Sequence, residues 1–498
     1  MTSGCILMAS GLALLAACRA PAQAQRLERV EVAPDNWTFR GAESGAPFVP
    51  FGTNYTPVWG GWAPDYLATK WDEGKFRADL DVMQQLGVNV LKIAAPLRRV
   101  LPDPQAPGAV SPSPQILERL DRVVELAGER GIRLIVTLEP GWHGWPQWFR
   151  DGGFWYGGPS LQLLEEFWRG LAARYRGDGR VFAYAFCVET DLGGWDSEAA
   201  RGLFQTWARD RYGTMEKANA AWGTAFESFE EVVPAGHDGN NAQNWRELPE
   251  GTDGNENKTS DPYLYDYLLF REWAAFRFMY RQSRAVKASD PRALTTMGFV
   301  QWNPILRQLW GPVWEGPSRG PEYNAREMAK AFDLLGIHFY PIYPGGDDEV
   351  QFKYLKLWAR WADAGKPVIL EEFNGTPAEK NAPWCERVIR ETRHYVGGWL
   401  VWTFQDVPSS DAITEVCGLL DAAGGLTAWG KRFQELAPEV QAWRLQRPQP
   451  HRTVPVDKRW LYTSGEYRSF LDGLLKADDP MVSFEVEPNP TIDALLRR

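Results

Sequence analysis

The amino-acid sequence predicts an α/β fold, a (β/α)8 TIM barrel with an insertion after strand 4 and a short carboxyl-terminal extension. Three observations carry this. Short apolar, β-branched runs alternate eight times with longer stretches of helical periodicity between residues 48 and 436. The apolar runs end in carboxylates, aromatics and histidines, as strands do when their carboxyl ends line a barrel mouth. No glycine-rich phosphate turn follows the first run, which disfavours a doubly wound open sheet.

Residues 1–25 read as a leader. Cys5 to Cys18 is apolar or small throughout, the length of a signal-peptide core and too short to span a bilayer. Leu15-Ala16-Ala17-Cys18 has the form of a lipobox, which would place a lipid on Cys18, and Ala22-Gln23-Ala24 the form of a signal-peptidase site. Export is expected, to the periplasm, the outer membrane as a lipoprotein, or the medium. Leu27 to Pro50 then forms a small hairpin, turning at Gly45-Ala46-Pro47.

Residues 26–440 hold the barrel. Phe48 to Tyr55 forms the first strand. A helix from Phe76 to Leu86 stops at Gly87, a residue suited to the position after a helix. Val88 to Ala94 is the second strand, Ile116 to Ala127 a helix, and Ile132 to Thr137 the third strand. A helix from Leu161 to Tyr175 leads to the fourth strand, Val181 to Val188. The insertion occupies about 191–261, helical over Ala199 to Tyr212 and Met215 to Trp222, then rich in Asn, Gly and Asp. Asp253 to Asn257 resembles a calcium loop, but Lys258 occupies the place of its tight-turn glycine.

Tyr265 to Ala288 is a long helix, Ala293 to Val300 the fifth strand, Met328 to Ala331 the close of a short helix, and Phe332 to Tyr340 the sixth strand. Val350 to Ala362 is helical, Pro367 to Phe373 the seventh strand, and Glu386 to His394 helical. Gly398 to Phe404 is the eighth strand and Leu426 to Leu436 the last helix. From Gln446 the chain turns Pro- and charge-rich, so 441–498 is read as an extension, either a cap on the barrel or an extended tail.

The 498 residues are 44% hydrophobic and 24% charged, ordinary values for a globular chain. A net charge of −10 without a basic cluster argues against nucleic acid as a partner. There are 25 Trp, whose faces suit both cores and the apolar faces of sugar rings. Outside the leader, Cys187, Cys385 and Cys417 match no metal motif. A Cys385–Cys417 bridge and buried core thiols both fit. No stretch is long and apolar enough to cross a membrane.

The strand ends gather Asn54, Tyr55, Lys92, Glu139, Trp142, His143, Glu189, Trp302, His338, Tyr340, Glu371, Glu372, Trp402 and Asp406. There is no Cys/His metal cluster, no serine elbow and no phosphate cradle, so neither a metal nor a cofactor is expected. Paired carboxylates among aromatics suit glycoside hydrolysis, in which one acid protonates the leaving oxygen while the other attacks or activates water. Alternation along a strand turns Glu371 and Glu372 to opposite faces, so only one of them should line the mouth.

Lys366-Pro367-Val368-Ile369-Leu370-Glu371-Glu372-Phe373 resembles the strand-seven pattern of family 5 among the clan A glycoside hydrolases. Gly336-Ile337-His338-Phe339-Tyr340-Pro341 resembles its strand six, and Gly397-Gly398-Trp399-Leu400-Val401-Trp402 its strand eight. Phe204 to Tyr212 with Gly213 to Phe226 is similar to the segment after the acid/base in family 42 β-galactosidases.

The resemblance implies a retaining barrel enzyme, with Glu189 as acid/base, Glu372 as nucleophile, and Tyr340 bonded to the nucleophile. Asn54, Tyr55, Trp142, His143, Trp302, His338, Tyr340, Glu371 and Trp402 are then expected to line the sugar site. Two positions depart from the pattern. Val188 stands where the clan mostly carries an Asn that binds the sugar 2-hydroxyl, and Lys92 where family 5 usually has Arg. The function expected is an exported β-glycoside hydrolase acting on a β-galactoside, β-mannan or β-glucan. The alternative is a catalytically weak, carbohydrate-binding barrel lipoprotein.

Overall fold

The computed structural model describes residues 27–497 apart from 61–63, 104, 107–110, 140–145, 152–155, 190–196, 234–261, 302–323, 342–347, 376–377, 409, 411–413, 464–472 and 478. Eight parallel strands close into a barrel. They are β1 (Phe51–Asn54), β2 (Val90–Pro96), β3 (Arg133–Glu139), β4 (Val181–Val188), β5 (Leu294–Phe299), β6 (Leu335–Phe339), β7 (Val368–Phe373) and β8 (Trp399–Val401). Closure is made by β8 on β1, with Trp399 opposite Phe51. Strands buried along their whole length, such as β1 and β4, have helices on one side and the barrel interior on the other.

The helices form where the sequence supplies both a cap and an apolar stripe. In Glu73–Gln85, Asp72 caps the first turn by accepting from Lys75 N, and Phe76, Leu80 and Met83 turn inward. Gly87 follows at φ 78. The insertion after β4 contributes Glu198–Tyr212 and Met215–Trp222, which are tied to the long helix Pro262–Ser289 through Asp266. That carboxylate accepts from Trp222 Nε1 at 2.9 Å and pairs with Arg211 at 3.1 Å.

The bottom of the barrel is plugged by its own amino-terminal segment. Val30–Val32, Phe39–Gly41 and Pro47–Phe48 form a three-stranded antiparallel sheet, one strand more than the expected hairpin. Phe39 meets Phe182 edge-on at 5.3 Å, and Val30 and Phe39 join the inner core of Val90, Ile135, Ala183, Leu294, Ile369 and Leu400.

The carboxyl-terminal segment docks on the barrel flank as a cap. Its parallel pair, β9 (Arg452–Val456) and β10 (Val482–Val486), lies against the helix Asp348–Ala362. Phe484 rests edge-on against Trp361 at 5.2 Å, and Arg360 Nε donates to Val482 O at 2.8 Å. Lys458 reaches from the extension into the barrel wall. Its Nζ lies 3.1 Å from Glu272 and 2.8 Å from Glu327, with all three side chains buried. Asn489 bonds the same two carboxylates. Cys187, Cys385 and Cys417 are buried and joined by no disulfide. No helix among the described residues is long and apolar enough to cross a membrane.

Candidate active site

The carboxyl ends of β4, β6 and β7, together with Lys92 of β2, bring six ionisable side chains into contact. Glu189 follows β4, whose pairing with β5 shifts between Ala185 and Val188. The chain then places Glu189 in the left-handed region at φ 45, a conformation costing a non-glycine residue about 1–3 kcal/mol. That turn directs the carboxylate inward, where Oε1 lies 2.7 Å from His338 Nδ1.

Across the mouth, Glu372 Oε1 accepts from Lys92 Nζ at 2.9 Å and Oε2 accepts from the Tyr340 hydroxyl at 2.7 Å. His338 Nδ1 stands 3.3 Å from Glu372 Oε2 as well. One imidazole nitrogen thus bridges the carboxylates of β4 and β7, and an oxygen of Glu189 lies within 4.8 Å of one of Glu372. Both carboxylates are at least 93% buried, with exposures of 7% and 4%.

Simple alternation along β7 does not hold at the acid pair. The pairing of β7 with β6 shifts between Leu370 and Glu372, and this bulge turns both acids into the barrel. Glu371 lies beneath Glu372 and is wholly buried. Its Oε2 is 3.3 Å from both Lys92 Nζ and His338 Nε2. Gly298 and Gly336 leave the room. A Cβ at Gly298 would come 2.6 Å from His338 Nε2, and one at Gly336 would collide with the Glu371 carboxylate.

His338 therefore has a carboxylate oxygen at each ring nitrogen, which calls for a proton on both. Burial alone would lower its pKa. The charge of Glu372 and the hydrogen bonds to Glu189 and Glu371 outweigh that and raise it to about 9. Burial also disfavours a charged Glu371, but Lys92 and His338 hold its carboxyl below the usual range. The Tyr340 hydroxyl is pushed well up by burial and by the charges of Glu372 and Glu189, so it stays protonated and donates.

Glu189, His338 and Glu372 form the one group among the described residues whose ligand atoms are close enough for a metal ion.

The remaining expected residues fall in different places. Asn54 is buried and donates from Nδ2 to the backbone oxygens of Glu371 and Val401 at 2.9 and 3.3 Å, fastening β1 to β7 and β8. Tyr55 is buried and donates to Asp79 on the adjacent helix at 2.7 Å. Trp402 follows β8, half-buried, with its indole donating to Thr414 at 3.0 Å. Trp142, His143 and Trp302 lie outside the described residues, as do Cys18 and the rest of the leader.

Gln301 was not expected. Its side chain clasps the backbone of Tyr340, donating to Tyr340 O at 3.0 Å and accepting from its N–H. Its position at the end of the fifth strand was the available signal.

The comparisons with known proteins agree with this architecture. Residues 161–387, which include Glu189, His338, Tyr340 and both acids of β7, match the family model described as β-galactosidase, glycoside hydrolase family 42. The β-galactosidase BbgII of Bifidobacterium bifidum is 26% identical over 199 residues, covering 34% of this chain and 27% of that protein. The chain thus spans about a quarter of the length of the curated relatives it matches.

Among solved structures, the cold-adapted β-galactosidase of Rahnella sp. R3 superposes with a TM-score of 0.66 at 15% identity, covering 89% of this chain and 65% of that one. The exo-β-1,4-mannosidase Op5Man5 of Opitutaceae bacterium strain TAV5 gives 0.57 at 20% identity, covering 85% and 65%. Taken with the closed eight-stranded parallel barrel, these similarities are consistent with a clan A glycoside hydrolase.

Proposed function

We propose that the protein is an exported β-glycoside hydrolase that works with retention, Glu189 serving as acid/base and Glu372 as nucleophile. The observation that carries this is the approach of the two carboxylates across the mouth, oxygen to oxygen within 4.8 Å. Retaining enzymes hold their acids about 5–5.5 Å apart, whereas inverting ones need about 6.5–9.5 Å to admit a water.

In the first step a Glu372 oxygen attacks the anomeric carbon, and the bond to the leaving oxygen breaks as that oxygen takes the proton of Glu189. In the second, the Glu189 carboxylate takes a proton from water as the water oxygen displaces Glu372. The hydrogen bonds from Lys92 and Tyr340 fix both Glu372 oxygens, which orients the attacking group.

The substrate proposed is a β-galactoside, β-mannan or β-glucan. The family match and the cold-adapted neighbour support a galactoside, and the mannosidase neighbour a mannoside. Val188, buried beside Glu189, offers no side-chain hydrogen bond to a sugar hydroxyl. That observation favours a second reading, a catalytically weak carbohydrate-binding barrel lipoprotein. A panel of aryl β-glycosides and plant polysaccharides separates the two. Turnover by the purified protein, with labelling of Glu372 by the matching 2-deoxy-2-fluoro glycoside, supports the enzyme; oligosaccharide binding without turnover supports the second reading. Export, with lipid on Cys18, is tested by cell fractionation and palmitate labelling, which a Cys18→Ser variant should abolish.

A further inference from the structure

We propose that Glu371 is a positioning residue of this site, holding His338 as a two-fold donor whose Nδ1–H is delivered between Glu189 and Glu372. The inference rests on the roles given to those two acids above. It starts from an otherwise unexplained carboxylate. Glu371 is wholly buried, and its Oε1 has no hydrogen-bond partner among the described residues. All its contacts with charged groups run through Oε2, to Lys92 and His338. Burying an ionised group is expensive unless it is paired, and the barrel gives up side chains at Gly298 and Gly336 to house this one.

The chemical consequence lies at the opposite ring nitrogen. Around His338 stand Glu189 from β4, Glu371 and Glu372 from β7, Lys92 from β2 and Tyr340 from its own strand. Glu371 accepts at Nε2 and thereby retains the proton there. With Nδ1 also protonated, His338 has no lone pair to turn toward Glu189. The Glu189 Oε1 then acts as an acceptor from His338, so the acid proton of Glu189 must sit on its other oxygen. A neutral His338 with its lone pair on Nδ1 would instead take that proton in a hydrogen bond and withdraw it from the aglycone.

The test uses the full chain labelled with 15N-histidine. Five His are present, and a His338→Asn variant identifies the signal by its loss. The wild type should show His338 protonated on both nitrogens at pH 7.5. In Glu371→Gln it should become neutral, kcat on an aryl β-glycoside should fall about tenfold to a hundredfold with KM held, and the alkaline limb of the kcat/KM profile should move to lower pH. A neutral His338 in the wild type overturns the proposal, as does a Gln variant that keeps both the imidazolium signal and the alkaline limb. Because the spectrum needs no turnover, a neutral His338 in the wild type overturns the proposal even if the sugar reading fails, and Glu371→Met carries the same comparison if the Gln variant does not fold.

Discussion

Lys92 Nζ lies 2.9 Å from Glu372 Oε1, with exposures of 3% and 5% for the two side chains. The same ammonium lies 3.3 Å from Glu371, so one cation serves two buried acids. Replacing it by a neutral chain leaves both without that partner, and breaking a buried pair typically costs about 3–5 kcal/mol. Lys92→Met should lower the urea midpoint by the equivalent of that loss. Combining it with Glu371→Leu should recover part of the stability, since one unpaired charge is then removed. Equal stability for the single and double variants would contradict the pairing.

Tyr340 donates to Glu372 Oε2 at 2.7 Å, a bond to a charged group of the kind worth about 1.5–3 kcal/mol. Tyr340→Phe keeps the ring and removes only the hydroxyl. We expect kcat to fall about tenfold to a hundredfold, with the far-ultraviolet spectrum unchanged. Undiminished kcat would remove Tyr340 from the machinery.

The barrel was legible because its signals are local. Apolar runs such as Val181 to Val188 and Val368 to Leu370 announce buried strands, and the strand ends place Glu189, His338, Tyr340 and Glu372 on one rim before any coordinate is known. What escaped depends on neighbours distant in sequence. Alternation sends Glu371 and Glu372 apart, and only the register shift of β7 against β6 turns both inward. Asn54 at the end of β1 looks like a lining residue until the carbonyls of Glu371 and Val401 are seen to occupy its amide. The docking of the extension through Lys458 was equally hidden, because Lys458 meets Glu272 across 186 positions of sequence.

That ion pair makes its own prediction. Lys458 is 1% exposed and is held by Glu272 and Glu327, which Asn489 also bonds. Lys458→Met should destabilise the protein by about 3–5 kcal/mol, read as a lower thermal midpoint. Activity measured well below the transition should stay near that of the wild type, since the cluster lies on the flank. An unchanged midpoint would show that the extension contributes little to the barrel.

His338 predicts how stability varies with pH. Its pKa is raised from 6.5 to about 9 in the folded state, so protonation favours folding. The contribution is full below pH 6.5 and fades as pH rises through about 9, with a magnitude of roughly 3 kcal/mol for a shift of this size. The stability difference between wild type and His338→Gln, measured by urea unfolding, should shrink from pH 6 to pH 9.5. A difference that grows over that range would contradict the sign.

The account turns on double displacement between Glu189 and Glu372, and the anomer released first tests it most directly. Proton NMR during the earliest turnover of an aryl β-glycoside that the protein cleaves should show the β-anomer appearing first, with the α-anomer following only by mutarotation. Initial release of the α-anomer would mean single displacement and would contradict the assignment of Glu372 as nucleophile.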